Sequence, residues 1–193
     1  MSGGDPILLD FPESFETERL TIRCPRRGDG PLVNEAIVES LNELRPWMPW
    51  AKDTPSVEDT ESNLRHAWVQ FQKREDLRLL LLLKDGGTCV GSSGLHRIDW
   101  AARKFEIGYW IRTSYAGQGL MTEAVEAIAA FAAWELGANR IEIRCDTRNA
   151  RSAKVAERLG FTLEGVLRND SVGEGGTLRS TNVFSKIRGV EFT

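Results

Sequence analysis

The 193-residue chain is poor in cysteine, histidine and tyrosine, has no long apolar run, and carries no excess of positive charge. Its three cysteines, Cys24, Cys89 and Cys145, are odd in number, widely spaced and without a CxxC pair. That suggests neither a disulfide framework nor a zinc site, and leaves ordinary buried thiols in a reducing cytoplasm as the expectation. Apolar runs such as Leu79 to Leu83 are far short of the ~20 residues of a membrane span. Met1 to Asp10 lacks the basic start and long apolar stretch of a secretion signal, so a cytoplasmic protein with no membrane partner is expected. A net charge of -3 gives no broad basic face for nucleic acid, and fits a cationic partner better.

Hydrophobic and charged contents of 41% and 27% suit one domain over residues 1–193, with residues 1–12 a loose N-terminal segment. The alternation Leu20-Thr21-Ile22 reads as a first strand. Leu32, Val33, Ala36, Ile37, Leu41 and Leu44 recur at helical spacing before Pro46, and Ser56 to Asp59 forms a capping box for a second helix. Leu79 to Leu83 and Cys89 to Ile98 flank an Asp-Gly-Gly hairpin turn, and Phe105 to Ile111 follows, which predicts an antiparallel meander. A helix from Met121 to Leu136, a strand at Ile141 to Ile143 and a helix from Ala150 to Gly160 predict a crossover with parallel neighbouring strands. Phe161 to Val166 and Val183 to Ile187 complete the sheet, and Gly173 to Gly176 is a loose turn. The class is mixed α/β.

Chemistry enters at Tyr115-Ala116-Gly117-Gln118-Gly119-Leu120-Met121-Thr122. A glycine turn opening a helix aims free N–H groups and a helix dipole at one point, where a phosphate would be held. No Lys-Ser/Thr pair follows for a P-loop, and no third glycine completes a dinucleotide fingerprint. About thirty residues on, Asn149 is a good N-cap and Ser152 stands in the first turn of the next helix.

These two segments together resemble the coenzyme A-binding core of the GNAT acetyltransferase superfamily, specifically its RimJ/RimL-type branch. The resemblance implies the GNAT fold, a mixed sheet of about seven strands flanked by about four helices. It implies acetyl-CoA as cosubstrate and no metal. The pyrophosphate would sit on backbone donors of Gly117, Gln118, Gly119, Leu120, Met121 and Thr122, although Ala116 stands where the family has a basic or amide residue. Asn149 would bond the pantetheine arm, and the Ser152 hydroxyl would face the sulfur. Phe105 to Ile111 would splay from its neighbour and offer a backbone N–H near Trp110 or Ile111 to the thioester carbonyl. Trp47 and Trp50, in the loop between the first two helices, would border the acceptor pocket.

The family's closing Arg-Asp-x-x-x-Tyr pattern reads here as Arg179 to Phe184, without its aspartate and tyrosine. With only Tyr109 and Tyr115 in the chain, Ser152 becomes the expected donor to the leaving thiolate. Glu106 is the first candidate base, with His96 and Asp99 as alternatives and His66 a surface residue. The expected reaction moves acetyl directly to a primary amine, foremost the N-terminal α-amine of a protein or peptide. A small amine such as an amino acid, polyamine or antibiotic is the alternative, and a non-catalytic acyl-CoA-binding regulatory module is the alternative of a different class. Relatives of this kind are often dimers, so a homodimer is also expected.

Overall fold

The computed structural model describes residues 5–173 and 176–193. Residues 1–4, and positions 174 and 175 of the turn expected to be loose, lie outside the described residues. The elements run β1 (Ser14–Glu16), β2 (Leu20–Arg23), α1 (Gly30–Leu44), α2 (Val57–Gln72), β3 (Leu77–Leu83), β4 (Cys89–Asp99) and β5 (Lys104–Ile111). They continue as α3 (Leu120–Trp134), β6 (Arg140–Asp146), α4 (Ala150–Arg158), β7 (Thr162–Val172) and β8 (Leu178–Ile187).

Local chemistry sets the helix ends. Ser56 Oγ accepts from the Asp59 N–H at 3.0 Å while Asp59 accepts from the Ser56 N–H at 3.3 Å, so the capping box opens α2. Pro31 stands in the first turn of α1, where a missing N–H costs nothing. After α3 the chain turns through Gly137 at φ 65°, a conformation that a side chain would resist.

The eight strands form one sheet in the order β1-β2-β3-β4-β5-β6-β8-β7. Every pairing is antiparallel except β5 with β6, which α3 joins as a crossover. This is the expected mixed α/β architecture with one strand more than the sequence suggested. The addition is β1, only three residues long and too short to show an alternation, held by pairing Phe15 with Ile22. The last two strands also run longer than expected, because bulges near Glu164 and between Leu167 and Ser171 absorb the turn-like residues there.

Two apolar layers flank the sheet. Phe105 and Ile107 of β5 point into one with Val125 and Ile128 of α3, while Trp110 points into the other with Val33 and Ile37 of α1. Residues at the front of the chain are tied to the first layer: Phe11 meets Phe71 and Phe131 edge-on at 5.9 and 5.7 Å, and the Arg74 guanidinium lies 4.0 Å from its centroid.

Candidate active site

The parallel ladder between β5 and β6 stops early. Pairing runs from Lys104 with Arg140 to Ile107 with Ile143, whereas β5 continues to Ile111 and β6 to Asp146. On its other side β5 stays paired with β4 as far as Ile111 opposite Gly91. Gly108 to Ile111 therefore form one wall of an opening at the C-terminal ends of two parallel strands. The Arg112 N–H donates to Val90 O at 2.7 Å. By the alternation of an antiparallel ladder, Trp110 turns its N–H to β4 as well, and Ile111 turns its own toward the opening. Of the two positions expected to serve a thioester carbonyl, Ile111 has the direction for it.

Below the end of β5 lies the glycine turn. Gly117 and Gly119 have φ of 77° and 80°, and Gly119 is the N-cap of α3. Left-handed residues at alternate positions turn the intervening N–H groups to one side. Among the described residues, none of the six consecutive N–H groups from Gly117 to Thr122 donates to a protein acceptor. They are exposed or at the helix start, so they form a cradle for anionic oxygen. A side chain from far away in sequence holds this turn. Arg19 Nη1 donates to Gln118 O at 2.9 Å, and its Nε and Nη2 reach Glu123 at 2.7 Å. Burial opposes the Glu123 charge, yet bonds from Thr17 and Arg19 hold its carboxyl below the ordinary range. In a trans peptide the carbonyl and the next N–H point opposite ways. Pulling Gln118 O toward Arg19 thus points the Gly119 N–H outward, into the cradle.

Across the opening, Asn149 caps α4 by accepting from the Ser152 N–H at 3.1 Å. Its amide N–H groups have no protein partner among the described residues. Ser152 Oγ donates to the Tyr109 hydroxyl at 3.0 Å, and that hydroxyl donates to Ser152 O at 2.9 Å. Burial pushes the Tyr109 phenol well above its ordinary value, with the Ser152 bond pulling the other way, so it stays protonated. Cys145 lies beside Ser152 and Asn182, its thiol raised chiefly by burial. Tyr109, set aside in the sequence for lack of a matching motif position, is the residue that joins β5 to α4.

The candidate base and acceptor residues fall into separate groups. Glu106 lies on the opposite face of β5 from Tyr109, its carboxylate held in an ion pair by Arg97. His96 pairs across from Glu106, and its Nδ1 bonds Asp76 at 2.7 Å. Asp99 accepts from the Ala102 N–H at 2.9 Å and closes a turn. His66 is exposed and bonds Ser62 O. Trp50 meets Trp110 edge-on at 6.2 Å. Trp47 instead lines a cavity of about 220 Å³ with Pro46, Arg148, Gly173, Thr177 and Arg179. Both arginines there bond the buried Asp146, and Arg148, opposed by burial and joined by Arg179, holds that carboxyl far below its ordinary range. Phe184, where the family has a tyrosine, is core. The contacts of Arg19, Asp76 and Tyr109 carried no sequence signal, because their partners lie 99, 20 and 43 positions away.

An opening between parallel strands, an anion cradle at the following helix and a hydroxyl on the far wall fit a transferase that holds a phosphate-bearing thioester. The chain matches the acetyltransferase (GNAT) domain family over residues 19–162 and belongs to that family. It is 33% identical over 153 residues to the putative ribosomal N-acetyltransferase YdaF of Bacillus subtilis, covering 79% of this chain and 82% of that protein. Likewise it is 29% identical over 152 residues to the ribosomal-protein-serine acetyltransferase of Escherichia coli, covering 79% and 84%. Among solved structures, RimL, an L7/L12 α-N-protein acetyltransferase in complex with coenzyme A, shares the fold at TM-score 0.84 and 23% identity, covering 91% of this chain and 98% of that one. The microcin C7 self-immunity acetyltransferase MccE, in complex with acetyl-CoA and AMP, also reaches 0.84 at 24% identity, covering 92% and 98%. The protein is an acetyl-CoA-dependent N-acetyltransferase of the RimJ/RimL-like branch.

Proposed function

We propose that this enzyme acetylates the N-terminal α-amine of a protein, in the cytoplasm and as a homodimer, without engaging nucleic acid or membrane. The observation that carries the reading of the coenzyme site is the run of six free N–H groups from Gly117 to Thr122 beside the opening between β5 and β6. In this reading that run holds the coenzyme pyrophosphate, Asn149 holds the pantetheine arm, and Ile111 N–H polarises the carbonyl. Ser152 then donates a hydrogen bond to the departing sulfur. A thiol with an ordinary pKa of ~8.5 needs no stronger acid at neutral pH.

The ribosomal-protein acetyltransferases among the relatives support a protein acceptor. So does the chemistry: an α-amine of pKa ~8 is neutral in about one molecule in ten at pH 7, and a lysine amine in about one in 2,500. Support for the homodimer comes from β7, an exposed edge strand bearing Leu163, Val166, Leu167 and Val172. No helix among the described residues is long and apolar enough to cross a membrane. A small amine is the second reading, favoured by the cavity at Trp47, whose 220 Å³ suits a small polar acceptor. Thiol release from acetyl-CoA decides between them, with N-terminal peptides, lysine-blocked peptides, polyamines and aminoglycosides as separate acceptor pools. Release with the peptide pools is expected; release only with the small amines would replace the protein acceptor.

A further inference from the structure

We infer that His96, oriented by Asp76, takes the proton from the acceptor ammonium; this rests on the acetyltransferase reading above and names its base. Glu106 was the foremost candidate in the sequence, but its carboxylate is engaged by Arg97, and removing that ion pair would precede any proton transfer. His96 is differently placed. Its Nδ1 is 2.7 Å from Asp76 Oδ2, so the carboxylate fixes the tautomer with the proton on Nδ1. Nε2 then presents a lone pair, and it has no protein partner among the described residues. The ring is 31% exposed, open enough for an amine to reach.

The ring's position supplies the second argument. A Cβ built on Gly108 would lie 3.0 Å from His96 Cδ2 and 3.4 Å from Nε2, so the imidazole rests directly on Gly108. Gly108 is the first residue of β5 beyond its last pairing with β6. With no side chain of its own, Gly108 admits this close approach. His96 thereby stands at the start of the opening, on the face of β5 that also carries Trp110, with Tyr109 and Ser152 on the opposite face. A base on one side and a thiolate donor on the other leave the strand edge between them for the reacting carbonyl.

The proton balance is simple. The ammonium N–H bond breaks, an Nε2–H bond forms, and the electron pair stays on nitrogen to attack the carbonyl carbon. The C–S pair leaves with sulfur, the second amine proton goes to the thiolate through Ser152, and the imidazolium returns its proton to solvent. Asp76 does not change its protonation; it is a positioning residue. Charged groups beside the ring are Asp76, Glu106 with its Arg97, and Arg78, which is bound to Asn63 and Ser92.

The test uses the full chain, acetyl-CoA and the serine-terminated peptide Ser-Ala-Ala-Ala, with thiol release as the readout. His96→Gln should lower kcat about 100-fold at pH 7 while coenzyme A affinity by calorimetry stays within about twofold. The deficit should shrink to about tenfold or less at pH 9.5, where solvent has already deprotonated the α-amine. Asp76→Asn, which preserves shape, should lose about tenfold with its pH profile displaced, giving a second reading if His96→Gln folds poorly. An unchanged kcat, an equal deficit at both pH values, or a larger loss in Glu106→Gln overturns the assignment to His96. Wild-type protein silent with every amine sinks the base together with the acetyltransferase reading, whereas an active wild type with an unaffected His96→Gln sinks the base alone.

Discussion

Replacing Arg19 with alanine separates the coenzyme's diphosphate end from its acetyl end. The guanidinium makes contacts of 2.7 Å to Glu123 and 2.9 Å to Gln118 O, and it is 43% exposed. Exposed ion pairs contribute only about 0–1 kcal/mol after solvent screening, and the bond to a neutral carbonyl about 1 kcal/mol. Glu123 keeps Thr17 Oγ at 2.5 Å and the residue 19 N–H at 2.9 Å, so no buried charge is stranded. The fold should therefore lose about 1 kcal/mol, a shift of a few degrees in a thermal melt. Freed from Arg19, the Gln118–Gly119 peptide can rotate and withdraw its N–H from the cradle. Losing one hydrogen bond to a charged oxygen costs about 1.5 kcal/mol, or about tenfold in coenzyme A affinity. Calorimetric titration with coenzyme A measures that loss. Steady-state turnover of S-acetylpantetheine, which lacks the diphosphate, supplies the control, and its kcat/KM should change by less than about twofold. Equal losses with both thioesters, or full affinity in Arg19→Ala, would refute the reasoning.

Other outcomes are equally accessible. Ser152→Ala should lower kcat about tenfold to 100-fold with little change in coenzyme A affinity, because in the proposed mechanism the hydroxyl acts on the leaving sulfur; unchanged turnover removes Ser152 from the mechanism. Tyr109→Phe, which leaves Ser152 Oγ without its present partner, should fall between that variant and wild type in the same assay. Arg140 and then the Ser185 hydroxyl hold Glu164 down at about 2, against about 4.3 in the unfolded chain. The unfolded state thus binds more protons between these values, so the Glu164 contribution is present above about pH 4.3 and is lost as pH falls toward 2. Urea midpoints from pH 5 to pH 3 should decline less steeply in Glu164→Gln than in wild type. Burial raises the Cys24 and Cys89 thiols to about 11, so native protein at pH 8 should react with a thiol reagent far more slowly than protein in denaturant; equal rates would contradict that burial.

What the residues reveal by themselves are features set by neighbours along the chain. Glycines 117 and 119 ahead of an apolar helical stripe announce a strand-to-helix turn, and Asn149 with Ser152 announces a capped helix, because caps and turns are made within about one helical turn. The Ser56 to Asp59 capping box and the meander around Asp85-Gly86-Gly87 were legible for the same reason. Strand β1 was not, since three residues acquire an extended shape only by pairing with β2. Tertiary structure alone decided which polar groups meet. Arg19 reaches a turn 99 positions away, Tyr109 meets Ser152 across the opening, and Asp76 turns His96 over Gly108 while Arg97 engages Glu106. Each pairing follows from strand order and from which face of β5 a residue occupies, and a shift of one residue in that register would exchange the faces and dissolve the site.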